Sequence, residues 1–398
     1  MAQETDADTT LAGENPYKIL VVDDEPALER LVLQRMRREI RRQQYEFVFA
    51  HNGVEALDRL NEDRGIDLVV SDINMPKMDG LTLLEKIPDV HPDVRSVIVS
   101  AYGDMKNIRT AMNRGAFDFV TKPIDFDDFR VTIERTLRNL IAWREATESR
   151  DRLLAIQKEL DVASKMQQSI LPTVFPRGQD FEVFGSMEPA REVGGDFFDI
   201  MSLGQGRIGI AVADVSGKGV PAALFMMSCR TLLKGAAIGA IGPGTVLREV
   251  NNLLHEDNEA EMFVTLFYAV FDPGSGEFVY ANGGHNSPLI VRSDGSSTEL
   301  PATGGIALGV LSDIDYAEDR LQIAPGEAVV LYTDGVTEAE NHKNDLFEME
   351  RLRQIFDGGA LENAEEVNKA VFEAVRAFAG NTPQSDDITC ITLYRSTG

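Results

Sequence analysis

The sequence predicts a multidomain chain: an α/β domain on a five-stranded parallel sheet, a long helical connector, and a further domain rich in strands. Three observations carry this. Across residues 1–140, short apolar runs and helical patterns alternate five times, the signature of a parallel sheet with helices on both faces. From Asn139 to about Leu171 there is neither glycine nor proline, so one helix can run straight through. And 398 residues are enough for two or three domains with proper cores.

Taken in order, the strands of the first domain are "YKILVVDDE", "YEFVFA", "DLVVSD", "RSVIVSA" and "AFDFVTKP". Between and after them lie the helical patterns "PALERLVLQRMRREIRR", "GVEALDRLNED", "GLTLLEKI", "MKNIRTAMNRG" and "FDDFRVTIERTLRNLI". In such sheets ligands sit at the carboxyl ends of the strands. Asp23 and Asp24 end the first strand, Asp72 the third, Ser100 the fourth and Lys122 the fifth. Three converging carboxylates do not all stay ionised without a cation, and oxygen ligands of this kind suit magnesium. Lys122 and Ser100 are placed to hold phosphoryl oxygens, and Asp72 is free to act as a nucleophile.

Residues 16–138 resemble the receiver domain of two-component response regulators, a flavodoxin-like fold, through "VVDDE", "SDINMPKMDG", "SAYGD" and "FVTKP". The resemblance implies Asp72 as phosphoacceptor. It implies Asp24 and Asp72 as magnesium ligands, with Asp23 in support and the Asn74 carbonyl completing the protein's share. Phe119 matches the family's aromatic switch position. A sensor histidine kinase would be the phosphoryl donor.

The connector spans 139–172. Ala142, Ala146, Ser149, Leu153, Ile156, Leu160, Ala163, Gln167 and Ile170 follow alternating steps of four and three, a heptad seam well formed only from Leu153 onward. Two outcomes fit: an amphipathic helix lying on the next domain, or a parallel coiled coil making a homodimer. Small residues and Gln167 weaken the seam, and a weak seam suits a switch. "SILPTVFP" then ends the helix with two prolines.

In the segment 173–398, four strand-like runs carry aspartate beside glycine or another acid: "EVGGDFFDI" (Asp196, Asp199), "IGIAVADVSGKG" (Asp214), "AVVLYTDGVTEA" (Asp334) and "QSDDITCITLY" (Asp386, Asp387). Converged by a fold, they would make an oxygen-rich site for two hard divalent ions, magnesium or manganese. Two such ions activate a water and stabilise phosphoryl oxygens, so the chemistry expected from the acids is hydrolysis of a phosphate ester. No phosphate-cradling glycine loop of a nucleotide enzyme is present.

This segment resembles the PPM-type metal-dependent serine/threonine phosphatases, in their SpoIIE-like and RsbU-like branch, through "VGGDFFD", "VADVSGKGVPAA", "NGGHNSP", "LYTDGVTEA" and "DDIT". The family fold is α+β, two antiparallel sheets flanked by helices. By motif position Asp214 should bridge both metals, with the Val215 carbonyl on one of them. Asp334 and Asp386 should ligate the second metal, and Asp196 should reach the first. Either acid of "DDIT" fits the ligand role, the family pattern favouring Asp386. Arg191 and Lys218 are candidates for substrate phosphate, each with surface solvation as the plainer alternative. His285 reads as a residue packing its turn.

Composition removes other classes. The formal charge is −26, which opposes binding to nucleic-acid phosphates. The longest apolar run, "MFVTLFYAVF", is about half the length of a membrane helix. The first residues, 1–15, lack a signal-peptide pattern and read as a disordered acidic tail. Two cysteines, Cys229 and Cys390, point to neither disulfides nor zinc, so a reducing cytoplasm is expected. The resemblances together imply a response regulator whose output is dephosphorylation of a protein, a STAS-type anti-sigma-factor antagonist. The alternative is an adaptor that only docks such a partner.

Overall fold

The computed structural model describes residues 15–256, 258–357 and 363–397. Two compact units, Met1–Ala155 and Ile156–Gly398, are described separately. The tail expected over 1–15 lies outside the described residues apart from Asn15.

The first unit begins β1 (Tyr17–Val22), α1 (Pro26–Arg35), α2 (Arg37–Arg41), β2 (Tyr45–Ala50), α3 (Gly53–Glu62), β3 (Ile66–Asp72) and α4 (Gly80–Val90). It continues with β4 (Arg95–Ala101), α5 (Met105–Asn113), β5 (Asp118–Lys122) and the start of α6 (Phe126–Ile170). All strand pairs are parallel, in the order β2-β1-β3-β4-β5. β1 and β3 are thus neighbours although not consecutive, and the order reverses there, where α/β sheets bind ligands. Alternate strand residues feed two cores. Ile19, Val21, Leu68 and Val70 pack on Val32 of α1 and on Phe129, Ile133 and Leu137 of α6. Leu20, Val22 and Val69 pack on Ala56 and Leu60 of α3 and on Leu83 and Ile87 of α4. Asn52, Asp79 and Asp104 cap α3, α4 and α5 by accepting the backbone N–H of Glu55, Thr82 and Asn107, which satisfies donors no helix can satisfy internally. The single helix expected over 26–42 is broken at Met36, the point where α1 and α2 meet.

The border between the units falls inside α6, a single helix of 45 residues. The last helix of the first domain and the expected connector are therefore one element. In its second half the seam is divided. Leu153 and Ile156 stand 68% and 54% exposed, whereas Gln167 is buried and Ile170 packs against the core of the second unit.

That unit holds β6 (Phe181–Glu188), β7 (Phe197–Ser202), β8 (Ile208–Val215), α7 (Val220–Ala237), α8 (Pro243–Glu256), β9 (Val264–Asp272), β10 (Glu277–Gly283), β11 (Leu289–Val291) and β12 (Ser297–Glu299). Then follow β13 (Glu318–Gln322), β14 (Ala328–Tyr332), α9 (Asp334–Thr337), α10 (Glu348–Gln354), α11 (Ala364–Ala379) and β15 (Ile388–Arg395). The strands form two antiparallel sheets, β13-β10-β9-β8-β7 and β12-β11-β14-β15-β6. Their inner faces meet through Phe198, Ile210, Val212, Phe267, Val329, Leu331 and Ile391. The outer face of the first sheet is covered by α7 and α8, that of the second by α10 and α11. The result is a helix–sheet–sheet–helix sandwich. Among the described residues no helix is long and apolar enough to cross a membrane.

Candidate functional site

Two acidic centres emerge, one in each unit. In the first, the sheet order brings the ends of β1 and β3 together, and carboxylate oxygens of Asp23, Asp24 and Asp72 all lie within 4.8 Å of one another. Lys122, at the end of β5, reaches across to Asp23 Oδ2 at 2.9 Å and Asp72 Oδ2 at 3.0 Å. Ser100 ends the strand between them, its Oγ buried without a partner. A buried hydroxyl left unpaired is costly, and an incoming phosphoryl oxygen would satisfy it. Asn74 is exposed on the loop after β3, and Phe119 is on the surface of β5. Burial pushes the Asp72 carboxyl up against the opposing pull of Lys122. Burial works to lower Lys122, but its bonds to Asp23 and Asp72 outweigh this and raise it. The three carboxylates make a donor set of hard oxygens that fits a divalent cation.

The second centre is assembled at one end of the sandwich. Asp196 immediately precedes β7, and Asp214 lies near the end of β8, whose Ala213 pairs with Phe197. From the other sheet, Asp334 follows β14 by two residues, and Asp386 and Asp387 immediately precede β15. Asp387 joins the two sheets: its Oδ1 accepts from Ala190 N at 2.8 Å, its Oδ2 from Gly195 N at 2.7 Å and from Asp196 N at 3.3 Å. Gly335 is required at the same join, because a side chain there would overlap the Asp387 carbonyl. Asp196 is 2% exposed, and its Oδ2 accepts from Thr389 Oγ1 at 2.7 Å. Asp214 lies close enough to Asp196 to feel it, and it feels the charges of Asp334 and Asp386 too. Burial raises the carboxyls of Asp196, Asp214 and Asp334. Repulsion adds to it, from Asp214 and Asp387 on Asp196, from Asp334 on Asp214, and from Glu338 and Asp386 on Asp334. Carboxylates held together against their own repulsion fit a site for hard cations, whose charge reverses the cost. The Val215 carbonyl faces this corner, against Gly195.

Residues 19–134 match the model of the response regulator receiver domain, and residues 204–396 match that of stage II sporulation protein E. The chain joins a receiver domain to a SpoIIE-type domain. It is 32% identical over 294 residues to Protein IcfG of Synechocystis sp. (strain ATCC 27184 / PCC 6803 / Kazusa), covering 67% of this chain and 45% of that protein. Phosphoserine phosphatase RsbU of Bacillus subtilis (strain 168) is 29% identical over 256 residues, 64% of this chain and 75% of its own length. The SiaA-PP2C domain of Pseudomonas aeruginosa superposes with a TM-score of 0.53 at 27% identity, covering 61% of this chain and 98% of that domain. The chain therefore spans under half of the first of these relatives and most of the other two.

The remaining motif residues of the SpoIIE-type domain take other places. Lys218 Nζ sits on Asp386 Oδ2 at 2.8 Å and on the Ser385 carbonyl at 2.7 Å, so it is engaged by an acid of the corner itself. Arg191 is exposed on the loop before Asp196. Asp199, grouped with Asp196 in the sequence, points elsewhere: fully buried, it pairs with Arg230 at 2.9 Å and Lys234 at 3.2 Å, which ties β7 to α7. Both Asp199 and Arg230 atoms are in ion-pair contact, off the line of a good hydrogen bond. Two contributors were not singled out by the sequence. Thr389 lies inside "DDIT", where the acids drew attention from it. Gln167 donates to the Gly194 carbonyl at 2.6 Å and accepts from Gly194 N at 3.0 Å. Its signal was a long polar side chain in the well-formed, otherwise apolar part of the seam from Leu153 onward.

Proposed function

We propose that this chain is a two-component response regulator whose output is hydrolysis of phosphoserine or phosphothreonine on a protein. One observation carries the reading: acids from two separate sheets meet at a single corner, clamped by Asp387. The match to the SpoIIE model and the likeness to a phosphoserine phosphatase support it. Asp214 would hold both ions of a magnesium or manganese pair, Asp334 and Asp386 one of them, and Asp196 with the Val215 carbonyl the other. Asp386 is favoured over Asp387 because both Asp387 oxygens are spent on backbone N–H groups. Bound there, such ions supply an activated water and neutralise phosphoryl charge. Thr389 orients Asp196, and Lys218 would transfer from Asp386 to a substrate phosphate. Arg191, exposed on the separate loop before Asp196, is the second candidate for that phosphate.

Upstream, a histidine kinase would phosphorylate Asp72, with magnesium held by Asp23, Asp24, Asp72 and the Asn74 carbonyl. Lys122 and Ser100 would receive the phosphoryl oxygens. Gln167 gives the connector a handle on the Gly194–Asp196 loop, so a shift of α6 would be felt at the corner. Leu153 and Ile156, exposed in one chain, would pair in a homodimer. The substrate is proposed to be a STAS-type anti-sigma-factor antagonist by family analogy.

The test is manganese-dependent release of phosphate from a phosphoserine peptide and from candidate phosphorylated antagonists. Asp214→Asn should lower turnover by about 10²-fold or more with the fold retained by circular dichroism. Absence of turnover, together with an Asp214→Asn variant that keeps full cellular output, would establish the adaptor alternative instead.

A further inference from the structure

The loop that carries Asp386 to the acidic corner also builds a cleft beside it. α11 ends at Ala379, and Gly380, with φ 61°, turns the chain out of the helix through a backbone that favours glycine. Residues 381–387 then lead back to β15. Gln384 staples this return to β6: its Nε2 donates to the Glu188 carbonyl at 2.8 Å and to the Asp386 carbonyl at 2.7 Å. Between the return, α11 and the residues that follow α9, a cleft of about 120 Å³ stays open.

Its floor is apolar. Ala339, Phe372 and Ile388, all buried, are the part of the second sheet's helix-covered core that reaches it. Ala379, half-buried, and Pro383, exposed, stand on the wall. Asp386 is on the wall as well, and so is Gly335, the neighbour of Asp334, so the cleft adjoins the corner. The charges around it are mostly matched: Glu188 pairs with Arg376, and Asp386 with Lys218. Glu340 stands exposed on the rim, with no cation paired to it among the described residues. Past the Glu188–Arg376 pair the cleft runs on into a trough between β6 and α11, since both hollows are lined by Glu188, Phe372 and Arg376.

We propose, resting on the hydrolysis proposed above, that this cleft is a specificity subsite for the phosphoprotein substrate. It takes one aliphatic side chain that lies two or three residues from the phosphoserine. The volume suits a side chain and not a whole small-molecule ligand, for which about 300 Å³ or more is usual. A hollow that shares a wall with the corner lies within a few residues of extended chain, at roughly 3.3 Å each. An apolar floor adds recognition that phosphate contacts cannot give, because every phosphoserine offers the same phosphate. Glu340 and Asp386 oppose an acidic side chain in the same place, so the cleft also rejects.

The experiment assays the full chain with manganese on phosphoserine peptides that carry Leu, Ala or Asp in turn at each position flanking the phosphoserine. Turnover of p-nitrophenyl phosphate, which has no flank, reports the corner by itself. At one position kcat/KM for Leu should exceed that for Ala by at least about 10-fold, with Asp lowest. Ala379→Phe, which places a ring in the cleft, should erase the advantage of Leu and leave p-nitrophenyl phosphate turnover unchanged, its fold checked by circular dichroism. If that variant misfolds, the peptide series on the native chain decides alone. Turnover of p-nitrophenyl phosphate with no position favouring Leu, or a preference that survives in folded Ala379→Phe, overturns the subsite and leaves the phosphatase reading standing. No turnover of either kind of substrate overturns that reading, and the subsite falls with it.

Discussion

His285 carries little charge and much consequence. Its Nε2 lies 3.1 Å from the Tyr332 carbonyl and its Nδ1 2.9 Å from Thr265 Oγ1. A carbonyl can only accept, so Nε2 bears the hydrogen and Nδ1 accepts from the threonine hydroxyl. Thr265 pairs in register with Asp214, and Tyr332 ends the strand that leads to Asp334. The neutral ring thus links the two sheets beside the corner. Burial lowers its pKa to about 4 from the ordinary 6.5. Between those values the unfolded chain takes up a proton that the folded chain refuses. Stability from this group is whole above about pH 6.5 and is lost progressively as pH falls toward 4, by about 3 kcal/mol in full. Urea midpoints measured across that window should fall more steeply for the native chain than for His285→Gln; parallel slopes would exclude the effect. The same scale marks the limit of the sequence. Asp386 and Asp387 are chemically identical neighbours, and no local pattern tells them apart. What separates them is tertiary: Ala190 and Gly195 present their N–H groups to one and not to the other.

At the scale of elements, pattern was a good guide wherever the environment was regular. The β1 and β3 runs read as strands because nearly every residue is buried on both faces, as parallel sheets demand. The connector read as a helix because nothing in it interrupts one. Its partners were less legible, since a heptad seam shows that a stripe is apolar but not which surface covers it. In α6 the stripe is shared out: Ile170 and Gln167 are used within the chain, while Leu153 and Ile156 remain open. If the open part forms a paired coil, Leu153→Glu combined with Ile156→Glu should halve the mass seen by sedimentation, without changing helix content. An unchanged mass would remove the coil. Asp199 shows the same limit. Its spacing from Asp196 is that of a shared motif, but it lies in β7, with its carboxylate turned to Arg230 and Lys234. A buried carboxylate with two cations is a strut between strand and helix, costly to break by removing one member.

For the whole molecule, the order of parts was readable because each part carries dense, local signatures. The receiver acids end the first and third apolar runs, which a parallel sheet of this order makes neighbours, so topology alone collects them. Replacing Asp72 by Asn should abolish labelling by acetyl phosphate and magnesium, whereas Asp23→Asn and Asp24→Asn should lower its rate; labelling that persists in Asp72→Asn would rule out this phosphoacceptor. The second centre was harder, because its acids come from segments that only the closed sandwich brings together. The bond from Gly195 to Asp387 spans 192 positions along the chain. On a ribosome, β7 and β8 emerge long before β15 is made, and until then the N–H groups of Gly195 and Asp196 lack the Asp387 carboxylate that holds them. The acidic corner therefore cannot be finished before β15 exists, and synthesis itself delays the moment at which it is complete.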